Sequence, residues 1–202
     1  LDESLQAVDG QVLGYPWLEI VQTLHAMPYA GWPGQVWEAT NGSTLPFVAL
    51  NVTDASIWTA PLRPGDLLNR LLRFQDRLPQ LIPDVAPQDR RLASTADVPH
   101  AHGIDLSSLL GANGTGLAWA ALNIKSPLPN SVAIPNGPRT SSALLQVTNL
   151  GLTVKESPQS TLVFVTRLDN AQPVGSSRVT IHAAGGPVWT GVTGNDGVAI
   201  AP

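Results

Sequence analysis

The 202 residues are 43% apolar and only 13% charged, with 18 glycines, 18 prolines and a formal net charge of -4. That balance supports a buried core broken by many turns, so an all-β chain of small modules is expected rather than a helical one. The 11 basic residues form no stripe that would neutralise phosphates, which removes nucleic acid as a partner, and the lack of cysteine removes disulfides, thiolate metal sites and cysteine nucleophiles together.

The first stretch, Ser4 to Leu24, reads as a hairpin: an acidic glycine turn at Val8-Asp9-Gly10, then a strand from Tyr15 to Val21. Strands are next expected over Gln35–Ala39 and Phe47–Thr59, joined by the hairpin signal Asn41-Gly42. Pro61 to Asp66 interrupts the strand pattern. After it, Leu67, Leu68, Leu71, Leu72 and Leu78 fall near helical spacing, which predicts one short amphipathic helix over Asp66–Arg77, with Asp66 as its cap.

Pro79 to His102 is rich in proline and polar residues and reads as a long irregular connection. Leu106–Leu110, the turn Gly111 to Gly116 and Leu117–Ile124 resume the β pattern and close the middle module. Ser126 to Thr140 carries Pro127, Pro129, Pro135 and Pro138 and reads as a stiff linker between modules. Short strands follow at Val147–Leu150, Leu152–Lys155, Leu162–Leu168, Arg178–His182 and Val188–Val192. They are separated by Ser157-Pro158, Asp169-Asn170, Gly185-Gly186 and Asn195-Asp196-Gly197, the punctuation of a small antiparallel sandwich.

Few side chains suggest chemistry. His100 and His102 lie two apart, so on a strand both rings face one way and would bind a metal if Asp97 or Asp105 joined them; a solvated loop is the preferred reading. His25 and His182 stand alone. The glycine-rich Gly111–Gly116 lacks the lysine and hydroxyl of a phosphate loop, and no G-x-S-x-G elbow or buried carboxylate pair is evident. Asn41, Asn51 and Asn113 each open an N-x-S/T sequon. No catalytic, cofactor-binding or metal-binding residues are assigned, and the chain is not expected to be an enzyme.

Several separated segments agree in order with one family. Gln146–Leu152, Leu162–Thr166 and Pro173-Val174, followed by Thr193-Gly194-Asn195-Asp196-Gly197-Val198, resemble a macroglobulin domain of the bacterial alpha-2-macroglobulin family, with Gly175-Ser176 where Gly-Ala is usual. Gly34, Val36, Trp37, Glu38, Leu45, Pro46, Phe47 and Asn51 stand in the order of a second block, with Leu50 where an arginine is usual. Val8 to Thr23 is similar to the closing strands of a preceding immunoglobulin-like module.

The resemblance implies tandem immunoglobulin-like and macroglobulin-like antiparallel β-sandwiches. It places the closing strands of an upstream module at 1–26, a macroglobulin-like domain with a helical and loop insertion (61–104) at 27–128, a proline-rich linker at 129–141, and a second such domain, expected to be truncated, at 142–202.

Its function, as the resemblance implies it, is that of a scaffold segment in a large, extracytoplasmic protease inhibitor, periplasmic (as a membrane-anchored lipoprotein or free) or secreted. Such a protein traps proteases by conformational collapse after a bait is cut, and its thioester cysteine would lie outside this stretch. The implied partners are the remaining domains of the same long chain and, through it, target proteases. Neither the start at Leu1-Asp2-Glu3 nor the end after Ile200 reads as a natural boundary. The competing reading is an immunoglobulin-like array of a surface adhesin or sugar-binding protein, which requires exposed Trp32 or Trp58.

Overall fold

A computed structural model describes residues 2–18, 24–75, 81–127, 140–183 and 185–202. Thirteen strands and one α-helix are seen among them. In chain order these are β1 (Tyr29–Gly31), β2 (Val36–Glu38), β3 (Thr44–Leu50), β4 (Val52–Pro61), α1 (Pro64–Gln75), β5 (Gln88–Arg91), β6 (His100–Asp105) and β7 (Gly116–Pro127). They continue with β8 (Thr140–Thr148), β9 (Leu150–Glu156), β10 (Thr161–Arg167), β11 (Arg178–Ala183), β12 (Gly186–Val192) and β13 (Val198–Ala201). The strands form four sheets, ordered β1-β3-β6, β2-β8-β7-β4-β5, β13-β10-β9 and β11-β12, and the all-β expectation holds.

The middle of the chain is layered around the five-stranded sheet. Ala118, Ala120, Leu122 and Ile124 of β7, with Ala143, Leu145 and Val147 of β8, face one way and meet Leu45, Phe47, Ala49 and Ile104 of the three-stranded sheet in a single core. The opposite face carries Trp119 and Leu144, covered with Leu62 by Leu67 of α1 and by Leu81. Burial on both faces explains why β7 reads as a nearly continuous apolar run rather than an alternation. Arg70 on α1 lies 4.3 Å above the Trp119 ring, a cation–π contact that fastens the helix to the sheet. The helix starts at Pro64, two residues before the expected cap, because proline suits the first helical turn; Asp66 is the acid of that turn. The expected end at Arg77 and Leu78 fall outside the described residues.

Several expectations are corrected here. Asn41-Gly42 does not join a hairpin: a 3-10 turn, Ala39–Asn41, leads into Gly42 at φ 85°, and the two flanking strands enter different sheets. β2 pairs in parallel with β8 (Trp37 opposite Val147), whereas β3 pairs with β1 and β6. The long strand expected over Phe47–Thr59 is broken at Asn51, whose φ of 54° turns the chain from one sheet into the other.

The segment expected to be irregular, 79–102, contains β5 and the start of β6. β5 pairs with β4 from Asp54 opposite Arg91 to Ile57 opposite Gln88. Its four residues, Gln-Asp-Arg-Arg, contain no apolar side chain, so only the main-chain ladder marks it as a strand. Leu106–Leu110 is not a strand either; a 3-10 turn occupies Ser107–Leu109.

The stretch around 129–141 connects two antiparallel neighbours, since β7 pairs with β8 from Gly116 opposite Val147 to Asn123 opposite Thr140. Residues 128–139, the bulk of the expected linker, are outside the described residues. β8 therefore lies in the central sheet and runs unbroken through 141/142, and only Asn149 separates it from β9.

At the N-terminal end, a small hairpin closes about Val8–Gly10 through bonds from Ala7 N to Gln11 O and from Leu13 N to Leu5 O. Tyr15–Leu18 is not a strand, and the rest of the strand expected there, 19–21, lies outside the described residues.

The last part alternates as expected. β10 is central between β9 (Val163 opposite Val154) and β13 (Val163 opposite Ala199), and buries Val163 and Val165. The Asn195-Asp196-Gly197 turn feeds β13: Gly197 has φ 75°, its carbonyl accepts from Val165 N at 2.9 Å, and a Cβ there would lie 2.6 Å from Val165 O. Gly197→Ala is therefore expected to destabilise this module by about 2 kcal/mol, the cost of a strained left-handed residue plus displacement of the adjoining strand. Urea unfolding followed by tyrosine and tryptophan fluorescence measures it, and a midpoint equal to wild type would refute the tight approach.

Candidate functional site

The described residues converge on one polar centre, at the corner where β3 passes into β4. Asn51 is fully buried there. Its amide nitrogen donates to Ala26 O at 2.8 Å and to Asp97 Oδ1 at 3.0 Å, and its Oδ1 accepts from the Asp97 backbone N at 2.8 Å. Asp97 also accepts from the Ala26 backbone N, at 2.8 Å, and from His25 Nδ1, at 2.8 Å. Asn and Asp are among the few side-chain-bearing residues that tolerate positive φ, and here both use it, Asn51 at 54° and Asp97 at 60°. Three segments far apart in sequence are thus clasped together: the approach to β1, the sheet-switching corner and the approach to β6.

The donors around Asp97, led by His25 and followed by Asn51 and the Ala26 amide, hold its carboxyl down at about 2 against an ordinary 3.8. A carboxylate with a depressed folded pKa contributes stability above its unfolded pKa and loses it as the pH falls through the folded value. Between about pH 4 and pH 2 the wild type is expected to lose more stability than Asp97→Asn, as read from thermal midpoints. Parallel losses in the two proteins would show that the clasp does not depend on the charge.

In the clasp the Asn51 and Asp97 side chains are bonded to each other, to His25 and to the Ala26 backbone. The metal grouping considered for His100 and His102 is not assembled. On β6, His100, His102 and Ile104 pair with Ala49, Phe47 and Leu45 and share their inward face, whereas Asp105 falls on the other side. Asp105 accepts from Ser43 and Ser107, and Asp97 is committed to the clasp. The preferred loop reading is corrected too, since both imidazoles sit on a strand; His102 stacks on Phe47 with centroids 5.2 Å apart. Among the described residues no three His, Asp or Glu side chains are placed to hold a metal ion.

Gly111–Gly116 is a self-contained turn: Gly111 N donates to Thr115 O, Gly114 N to Gly111 O, and Asn113 Oδ1 accepts from Thr115 N. The aromatic shelf required by the sugar-binding reading is missing at Trp32. That ring packs on Phe47 at 6.1 Å and its indole nitrogen donates to Ser141 O. Trp58 is half-buried in β4.

Two clefts flank these features. A small apolar pocket of about 180 Å³ lies between Pro33–Trp37 and Leu45-Pro46, and a polar mouth of about 550 Å³ opens between β5 and β6, lined by Asp89, Arg90 and Asp105. In that mouth Arg90 Nη1 donates to Gly103 O at 2.5 Å, and Asp89 is taken by Lys125 and Ser56.

Solved structures share the architecture, and they are bacterial. Alpha-2-macroglobulin from Escherichia coli spanning domains MG0-NIE-MG1 superposes with a TM-score of 0.62 at 15% identity, over 98% of this chain and 65% of that one. The fold is that of bacterial alpha-2-macroglobulin domains. The E. coli structure limited to NIE-MG1 matches with a TM-score of 0.60 at 15% identity and 88% coverage of both chains. Salmonella alpha-2-macroglobulin reacted with methylamine matches at 0.54 and 15% over all of this chain, but over 12% of its own length. This chain thus spans about two thirds of the three-domain E. coli alpha-2-macroglobulin fragment and about an eighth of the Salmonella alpha-2-macroglobulin chain. No protein-family model matches the sequence, and no curated protein does.

Proposed function

We propose that this chain is a scaffold segment of a bacterial alpha-2-macroglobulin-like protease inhibitor, extracytoplasmic, with no reaction of its own. The observation that carries the reading is the mutual 88% coverage of the NIE-MG1 fold, which reproduces a consecutive order of modules and not an isolated sandwich. The chemistry agrees with it. The best-built polar site, at Asn51 and Asp97, is a self-satisfied clasp, and the sequence has no cysteine, so a thioester would have to lie elsewhere in a longer polypeptide.

The segment's partners would then be the neighbouring domains of that polypeptide and, through them, target proteases. In this reading the division between the last two modules falls at Asn149, with 27–148 as one unit and 150 onward as the next, supported by the pairing of β8 with β7 and of β9 with β10. A periplasmic or secreted location follows from the same reading. Among the described residues no helix is long and apolar enough to cross a membrane.

The test uses the complete polypeptide containing this segment, mixed with an equimolar broad-specificity protease. Trapping is expected to abolish digestion of a large protein substrate while a small chromogenic peptide is still cleaved, with a mobility shift on native gels; residues 1–202 alone are expected to do neither. Equal inhibition by the isolated segment, or no protection by the complete chain, would sink the proposal.

A further inference from the structure

We infer that β6 is an acid-released strand: His100 and His102 seat it against β3, and proton uptake at His102 opens this edge of the three-stranded sheet. The geometry begins with topology. Among the described residues β6 is the sheet's edge, paired on one side only, with β3. Both imidazoles are on the inward face, with His102 stacked on Phe47 and the two ring centroids 6.4 Å apart, and the Nε2 of each is buried without a hydrogen-bond partner. A neutral ring tolerates that setting, whereas an imidazolium there has a second N–H to satisfy and a charge to desolvate.

No carboxylate is placed to compensate. β3 has no titratable side chain. Across the mouth, β5 presents Arg90, a cation that already reaches Gly103 O of β6, while Asp89 is turned to Lys125 and Ser56. On β4 the acid Asp54 accepts from Thr53, and on β7 the charged residue is Lys125. Asp105, on the opposite face of β6, is held by Ser43 and Ser107. Burial first, then Arg90 and His100, accordingly push the His102 pKa below its ordinary 6.5. A histidine with a lowered folded pKa stabilises the closed state at pH above its unfolded value, and that contribution falls away as the pH drops below about 6.5.

Linkage sets the size of the effect. The opening equilibrium rises by up to about tenfold per pH unit for each imidazole that takes up a proton on opening. Hydrogen exchange of the intact chain from about pH 8 to about pH 5, corrected for intrinsic exchange chemistry, is expected to show this rise in the amides of 100–105 and not in β7 and β8.

The double variant His100→Gln/His102→Gln is expected to flatten the dependence. Should it fail to fold, titration of the wild-type imidazole proton resonances decides instead, with the midpoint for His102 expected below 6.5. The inference is overturned by pH-independent opening of β6, by a dependence that survives in the double variant, or by folded-state titration of His102 at or above 6.5.

Discussion

Asn51→Ala is expected to destabilise the middle sandwich by about 3–5 kcal/mol. The substitution strands Ala26 O and the Asp97 amide beside a fully buried position, at about 1–3 kcal/mol for each group left unsatisfied. It also asks alanine to hold a φ of 54°, a further cost of about 1 kcal/mol. Asn51→Gly separates the two contributions, because glycine accepts the backbone turn but restores none of the bonds, so it is expected to recover only about 1 kcal/mol. Equilibrium unfolding in guanidinium chloride gives both values. If the alanine variant falls within about 0.5 kcal/mol of wild type, the clasp is a surface ornament and not a corner post.

Phe47→Ala is expected to cost about 3–5 kcal/mol, for a different reason. Phe47 is completely buried in β3, where it packs against Trp32 at 6.1 Å and His102 at 5.2 Å, so its removal opens a cavity between the two sheets. Phe47→Leu keeps most of the volume and is expected to cost less than about 2 kcal/mol. The alanine variant carries a second readout: water admitted beside His102 reduces its desolvation, so stability should vary less between pH 7 and pH 5 than in wild type. Thermal unfolding at the two pH values tests this, and an unchanged pH dependence would separate the ring from the histidine.

The parts of the fold legible in the sequence are those whose side chains alternate between tight turns. β9 through β12 follow directly from short Val-, Leu- and Thr-rich runs bounded by Ser-Pro, Asp-Asn and Asn-Asp-Gly, and α1 follows from leucine spacing behind two prolines. β5 was not legible because an edge strand of Gln, Asp and Arg carries no apolar signal and is held by its backbone. β8 is hard to place for the opposite reason: any amphipathic strand beside a proline-rich stretch looks like the start of something new, and only its register with β7 puts it in the central sheet.

The candidate site was less legible still. Asn51 stands within the family-like pattern, yet nothing local ties it to Asp97, 46 residues away, or to Ala26. The one available clue was chemical, that asparagine between two strand-like runs suits a left-handed corner. The spacing of His100 and His102 puts both on one face of a strand, but which face depends on the pairing of His102 with Phe47.

The single-residue step from β8 to β9 has a mechanical meaning. Thr148 Oγ1 accepts from Leu150 N, and Leu168 N donates to Asn149 O, so the joint is pinned by hydrogen bonds on both sides. β8 in turn is bonded along its length to β7 and, at the end next to the joint, to β2. A pull on the last module therefore arrives as shear along a ladder whose bonds must fail together, instead of being absorbed by a slack tether. Such a joint would transmit torque like a keyed shaft, and any relative motion of the segments it connects would have to be taken up at some other junction.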